Sequence, residues 1–210
     1  QLRQLNQRGL TIEGDNLIWT PSQSRMVINQ RPKANDGETQ IRSRELVFQQ
    51  DTEVLEFSGP TQLNRVDESS SASTVVKGGN GTWNLKSGLL QAPGPVQAIR
   101  SDGRTLSASG LDGNTLQGYL DLQQPVTLVL ENDRGQINAG QTRWLFTAKQ
   151  FQSDQPVQAD LKNSKVQGRG FKLDQTSGTV IIANDCRVEQ TSETLTAQRC
   201  AWNWRSERVV

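Results

Sequence analysis

Twenty-two carboxylates and two cysteines, with no histidine anywhere, set the chemistry open to this chain of 210 residues. Without an imidazole, neither a Ser-His-Asp nor a Cys-His nucleophile can be assembled. Cys186 and Cys200 alone fall short of the roughly four ligands a structural zinc needs. A pair of carboxylates of the glycosidase kind is formally open, but Asp51, Glu53, Glu56 and Asp174 fall in turns or on the polar parity of strands. The glycine run Gly78-Gly-Asn-Gly81 is followed by no Gly-Lys-Ser/Thr and no helical pattern, so it is not a phosphate-binding loop. Asn80-Gly-Thr82 is a glycosylation sequon in form only. The expectation is therefore no catalysis, no cofactor and no metal. What remains at regular spacing is apolar bulk, whose chemistry is the sequestration of other apolar matter.

That bulk is positioned by a repeat. The phrase Ile137-Asn-Ala139-Gly-Gln-Thr142-Arg-Trp144 returns in degenerate form along the chain, with anchors at Ile12, Ile41, Val76, Leu106, Ile137, Val166 and Leu195. The steps between anchors are 29, 35, 30, 31, 29 and 29 residues, the density of self-similarity expected of stacked supersecondary units. Two places after each anchor stands a small residue: Gly14, Ser43, Gly78, Ala108, Ala139, Gly168 and Ala197. Seven places after it stands a large one, namely Trp19, Phe48, Trp83, Trp144, Leu173 or Trp202, with Gly113 breaking the rule in the fourth repeat. Places fourteen and sixteen carry Met26/Ile28, Leu55/Phe57, Leu90/Ala92, Leu120/Leu122, Phe151/Ser153 and Val180/Ile182. A proline follows at place nineteen in four consecutive repeats (Pro60, Pro95, Pro125, Pro156) and at place twenty in the first (Pro32).

Each repeat reads as strand, turn, strand. The apolar set changes parity within the outgoing strand, as in Ile137/Ala139 followed by Thr142/Trp144, so one extra residue has entered there as at a bulge or sharp bend. The return strand alternates, and its proline marks a second irregularity because it cannot donate to a ladder. Centring the hairpin between places ten and eleven sets place seven against fourteen, five against sixteen and two against nineteen. The two bends then align into a crease. The expected fold is all-β: an antiparallel meander of about fourteen bent strands, folded lengthwise into a gutter with its apolar residues inside. One domain over residues 1–210 is expected, since no break in composition interrupts the repeats. The polar stretch from Asp67 to Ser73 reads as an inserted loop.

A net charge of +1, with Lys and Arg scattered among Asp and Glu, excludes nucleic acid as a partner. There is no apolar run of membrane-spanning length. The chain begins at Gln1 and stops as the seventh repeat reaches place fourteen, which reads as a piece of a longer protein whose membrane anchor lies upstream. Cys186 and Cys200 fall on the apolar set; two buried thiols and a disulfide are both compatible with that, the disulfide in an oxidising compartment.

An open gutter lined by Trp, Phe, Leu and Val exposes an apolar strip that calls for a guest, and an acyl chain is the natural one. The residues expected to line it are Trp19, Ile41, Phe48, Leu55, Phe57, Trp83, Leu90, Leu120, Leu122, Ile137, Trp144 and Phe151. At about 0.8 kcal/mol per buried methylene, roughly ten carbons contribute on the order of 8 kcal/mol, against about 1 for an exposed ion pair to a phosphate. The competing reading is a structural or adhesive β-repeat whose apolar set is a closed core. Whether the chain's own side chains fill the interior discriminates the two.

The pattern of anchor, small residue and bulky residue resembles the OstA-like repeat of the lipopolysaccharide-transport proteins, best in Leu195-Thr-Ala197-Gln-Arg-Cys-Ala-Trp202 and Ile41-Arg-Ser43-Arg-Glu-Leu46-Val-Phe48. The resemblance covers the chain from Ile12 onward. It is nearest to the LptC branch, with LptA and the N-terminal domain of LptD as other branches, and the richness in Trp and Gln resembles cyanobacterial members. It implies a β-jellyroll that carries lipopolysaccharide without catalysis, in the periplasm, tethered to the inner membrane. It also implies partners: an inner-membrane ABC transporter of lipopolysaccharide that supplies the energy, and LptA-like or LptD-like jellyroll domains joined by edge-strand pairing. Open edges near Leu10 to Trp19 and Leu195 to Trp204 offer that pairing on physical grounds. In such a compartment Cys186 and Cys200 are expected to form a disulfide. Symmetry about Glu193 would set them directly opposite, whereas the crease register centres that hairpin near Thr191 and puts them on either side of the crease.

Overall fold

The computed structural model describes residues 4–7, 9–35, 39–66, 73–191, 193–206 and 208–209. Nearly all of this is antiparallel β-structure, interrupted by two short 3₁₀ turns at Pro21–Gln23 and Glu131–Asp133. No described helix is long and apolar enough to cross a membrane. Of the polar stretch from Asp67 to Ser73 expected as a loop, residues 67–72 lie outside the described residues, and Ser73 instead begins the strand Ser73–Gly78.

The strand count is the first difference from expectation. Among the described residues twenty-five strands stand where about fourteen were expected, because the bend within most strands is sharp enough to break them in two. Only Gln150–Leu161, Ser164–Asp174 and Thr179–Glu189 run through the bend at full length. Two compact units emerge: Gln1–Ser101 with Leu111–Leu116, and Asp102–Gly110 with Gln117–Val210.

The bend has a precise register. Beyond it, place seven faces place fourteen in Trp19↔Met26, Phe48↔Leu55, Trp83↔Leu90, Trp144↔Phe151 and Leu173↔Val180. Before it, the anchor faces place twenty-two in all six complete repeats: Ile12↔Ala34, Ile41↔Leu63, Val76↔Ala98, Leu106↔Leu128, Ile137↔Ala159 and Val166↔Val188. The two halves of each hairpin are thus out of step by one residue, which the return strand absorbs, near its proline where it has one and without one in Thr179–Glu189. The small residue at place two consequently faces place twenty and not the proline at nineteen, as Ala139↔Val157 shows, and the ladder jumps between Ser153 and Pro156. A proline has no N–H to lose from the ladder, so the bulge is where it costs least.

Polar side chains close the hairpin turns. Eight places after the anchor, Asn84, Asp174 and Asn203 each accept from main-chain N–H groups of the turn: Ser87 N at 2.8 Å, Thr176 N and Ser177 N at 2.9 and 2.8 Å, and Arg205 N and Ser206 N at 3.0 Å. The Ser177 N–H bond is the chief reason the Asp174 carboxyl lies below its usual range. Asn114 and Asn203 also donate to the turn of the preceding repeat, at Ser87 O and Ser177 O, both 2.9 Å. This is the local bonding that Asn and Asp supply best in turns.

Candidate functional site

Cross-strand pairing converts the repeat into rows. In the first unit, Trp19, Met26, Phe48, Leu55, Trp83, Leu90 and Gly113 are successive neighbours across the sheet. In the second, Leu120, Trp144, Phe151, Leu173, Val180 and Trp202 are. On the other side of the bend a smaller row accompanies each. It is Ile12, Ala34, Ile41, Leu63, Val76 and Ala98 in the first unit. In the second it is Leu106, Leu128, Ile137, Ala159, Val166, Val188 and Leu195. Within each unit, then, two walls meet at a bend, one lined by large and the other by medium apolar residues.

The walls touch. In the first unit, Ile12, Ala34 and Ile41 of one wall belong to the same buried cluster as Met26, Phe48, Leu55 and Phe57 of the other, with Trp83 and Leu90 packed against it. Phe48 and Leu55 are 1% and 0% exposed. In the second unit Leu122 and Ile137 are sealed as completely, and Phe151 nearly so. Leu120 and Trp144 are half-buried. Trp144 stacks on Phe151 with ring centroids 5.5 Å apart and meets Phe146 edge-on at 6.1 Å; its indole Nε1 is buried with no hydrogen-bond partner among the described residues. By contrast, Trp83 Nε1 donates to Thr115 Oγ1 at 3.2 Å. Trp19 sits apart from these, 38% exposed on the strand Leu17–Thr20.

Cys186 and Cys200 are joined as a disulfide, with Cα atoms 6.0 Å apart. The register decides between the two placements: Cys186 faces Ala197 and Cys200 faces Ile182, so the bond spans the bend from one wall to the other. Both sulfurs are buried.

The open edges differ from expectation at the N-terminal end. Leu10–Glu13 is paired on both sides, by Gln4–Gln7 and by Lys33–Asn35. Among the described residues, the strands paired on one side only include Leu17–Thr20 and Thr194–Ala197. These carry three of the large exposed apolar residues, Ile18, Trp19 and Leu195.

On the outer face of the second unit, Arg143 makes a two-pronged contact with Asp121, both bonds 2.7 Å, and lies over the Tyr119 ring. Among the described residues no group of Cys, Asp and Glu is gathered to hold a metal.

Sequence reasoning missed a polar cluster in the second unit. Glu131 accepts from Trp204 Nε1 at 3.3 Å and Arg205 Nε at 3.1 Å, and lies 3.5 Å from Arg104 Nη2. Burial alone would raise its carboxyl, but the bonds from Arg205 and Trp204 and the charges of Arg104 and Arg205 prevail and hold it below the usual carboxylate range. Trp204, beneath it, is completely buried. The available signal was Trp202-x-Trp204, two aromatics on one parity at the chain's last turn.

No known family matches the sequence, and no curated protein does. A solved structure is similar in fold: LptH from Pseudomonas aeruginosa, described as the LptA-homologous periplasmic component of the conserved lipopolysaccharide transport device. The TM-score is 0.51 at 12% identity, over 58% of this chain and 94% of that one. The fold is an LptA-like β-jellyroll. At such low identity the likeness concerns architecture alone.

Proposed function

We propose that this jellyroll is a non-enzymatic carrier of lipopolysaccharide, a component of the bridge that passes the lipid from the inner-membrane transporter toward the outer membrane. The supporting observation is the pair of unbroken apolar rows in each unit, set face to face on a fold seen in a periplasmic component of lipopolysaccharide transport. Acyl chains would lie between the walls, against Ile41, Phe48, Leu55, Phe57, Trp83 and Leu90 in the first unit and Leu120, Leu122, Ile137, Trp144 and Phe151 in the second, with Trp19 at the exposed margin. The sequence carries no Walker motif, so energy would come from an ATP-driven partner. The one-sided strands Leu17–Thr20 and Thr194–Ala197, with Ile18 and Leu195 more than half exposed, suit edge-to-edge addition of an LptA-like or LptD-like jellyroll. The periplasm is the compartment, and an N-terminal tether to the inner membrane belongs to this reading, as does a single functional domain over 1–210 of the LptC type.

One observation favours a second reading, a β-repeat scaffold with a permanently closed core: Phe48, Leu55 and Ile137 are sealed by the chain's own side chains. The two separate on one experiment. A photocrosslinking residue is placed at Trp144 or Phe151 and, as control, at outward Arg143, and purified lipopolysaccharide is added. Adducts from the two interior probes and none from the control are the expected result. Failure of both interior probes would leave the scaffold.

A further inference from the structure

The sealed interior raises the question of where a lipid gets in, and the second unit has a border built differently from the rest. Its two walls are joined at the bend by three uninterrupted strands, while the strands beside them break there. Gln150–Leu161, Ser164–Asp174 and Thr179–Glu189 cross it unbroken, and the Cys186–Cys200 disulfide staples one wall to the other beside it. At the opposite border the walls end in turns, and there they meet through side chains. The first wall ends at Asp102–Arg104 and Leu130–Arg134, which flank the strands Thr105–Ala108, Val126–Val129 and Gly135–Ala139. The second ends at the hairpin turns Gln175–Gly178 and Trp204–Ser206.

Five polar connections pass between these turns. From the second wall, Trp204 Nε1 and Arg205 Nε donate to Glu131. From the first, Arg134 Nη1 donates to the main-chain oxygens of Trp204 and Arg205, both at 2.9 Å, and Arg104 Nη1 donates to Gln175 Oε1 at 3.3 Å. Arg104 is itself held by Asp102 at 2.6 Å, and Arg205 is anchored on its own wall by Gln175 O and Thr176 O at 2.9 and 2.7 Å. The apolar fit behind them is close: a Cβ added to Gly135 would stand 3.5 Å from the Trp202 ring.

We propose that this rim is the gate through which an acyl chain enters the second unit, with Glu131 and the arginines around it as the latch and the stapled bend as the hinge. The proposal rests on the carrier reading above. The physical ground is the unequal cost of parting the two borders. At the bend, opening breaks continuous main-chain ladders and strains a covalent bond. At the rim it breaks side-chain contacts, of which the Arg205–Glu131 pair already reaches water, with 43% and 18% of the side chain exposed, and only Trp204 Nε1 donates from a fully buried side chain. Such contacts exchange for water at small net cost, whereas a buried main-chain group stripped of its partner does not. The apolar rows then lie directly behind the opened turns.

The test uses the full chain with its native disulfide, a Phe151 photocrosslinker and purified lipopolysaccharide, and reads the initial rate of adduct formation. In one protein Glu131→Cys and Arg205→Cys remove the latch and supply the only free thiols, which a short bis-maleimide then bridges; a mono-maleimide serves as control. With the latch removed, loading is expected to accelerate about three- to tenfold. Bridging should abolish it, and the mono-maleimide should not. Glu131→Gln, which is milder, should load faster than wild type and guards against misfolding of the double variant. Loading that persists at the wild-type rate after bridging, or that is unchanged in Glu131→Gln, overturns the gate while leaving the carrier intact. Absence of adduct from the wild type itself overturns the carrier reading and the gate with it.

Discussion

The glycines at place two of the repeat have a cause that one substitution exposes. A Cβ built on Gly168 would lie 2.4 Å from Ile182 Cγ2 and 2.8 Å from Asn184 O. On Gly14 it would lie 2.2 Å from Ile28 Cγ2 and 3.0 Å from Gln30 O. In both repeats the obstacle is the β-methyl of an isoleucine at place sixteen, and these are the two complete repeats with isoleucine there. Where place sixteen holds Phe57, Leu122 or Ser153, place two holds Ser43, Ala108 or Ala139. Gly78, opposite Ala92 in this scheme, is not obstructed: its nearest neighbours would be Val96 Cγ1 at 3.4 Å and Pro95 O at 3.8 Å. Gly168→Ala therefore forces a methyl against a buried side chain and a main-chain oxygen. Overpacking of this kind costs about 1–3 kcal/mol, and the stiffer unfolded chain returns about 0.4–1, leaving a loss of about 1–2 kcal/mol. In a protein of this size that lowers Tm by about 2–8 °C. Gly78→Ala keeps only the favourable contribution and should be neutral or stabilising by about 0.5 kcal/mol. Urea unfolding followed by tryptophan fluorescence measures both. Ile182→Ala supplies the control, because it removes the offending methyl: combined with Gly168→Ala it should cost about 1 kcal/mol less than the sum of the two singles. Additive costs, or equal losses for Gly168→Ala and Gly78→Ala, would refute the steric account.

The other outcomes can be stated briefly. Because the Glu131 carboxyl is depressed when folded, the latch contributes stability that is fully present above its ordinary value of 4.5 and is lost as pH falls through the folded value. Stability should therefore decline more steeply below pH 4.5 in wild type than in Glu131→Gln, with Arg104, Arg205 and Arg134 the facing cations and Asp102 the neighbouring carboxylate, and parallel curves would show that Glu131 is not the group concerned. Thiol titration of the denatured, unreduced protein should find no free thiol, and Cys186→Ser with Cys200→Ser should cost about 3 kcal/mol, the chain-entropy value for a loop closed at a separation of 14 residues; two free thiols would refute the bond. Interior but not exterior photocrosslinking to lipopolysaccharide, and its dependence on the rim, complete the set.

Local chemistry in the sequence was a good guide to whatever is repeated and a poor one to whatever happens once. The all-β meander, the pairing of place seven with fourteen and the bend itself are written repeat after repeat, so each slot can be read against its copies. The one-residue slip at the bend was misjudged for a particular reason. Parity within Ile137/Ala139 and Thr142/Trp144 reveals an irregularity in the outgoing strand, but only the anchor's partner at place twenty-two fixes which strand absorbs it, and Ala34, Ala98 and Ala159 are too small to stand out as core positions. Strand number was underestimated for the same reason, since a bend and a break leave the same trace in parity.

The rim was illegible because it joins residues with no repeat relation. Glu131 and Arg205 stand 74 positions apart, in turns of different type, and each reads alone as an ordinary solvated charge. Periodicity identifies which faces are apolar, but two walls hinged at a bend can stand open or shut with the same periodicity. At the rim of the second unit a set of unrepeated charges joins them at the turns, and this bears on the choice between carrier and scaffold. A permanently closed core needs no device at its border, since apolar packing of the kind found at Phe48 and Leu55 already excludes water from it. A core that must admit a guest needs a border weaker than its hinge, one that releases without unravelling the ladders. The second unit has that asymmetry: a covalent staple at the bend, and water-accessible ion pairs over a buried tryptophan at the rim.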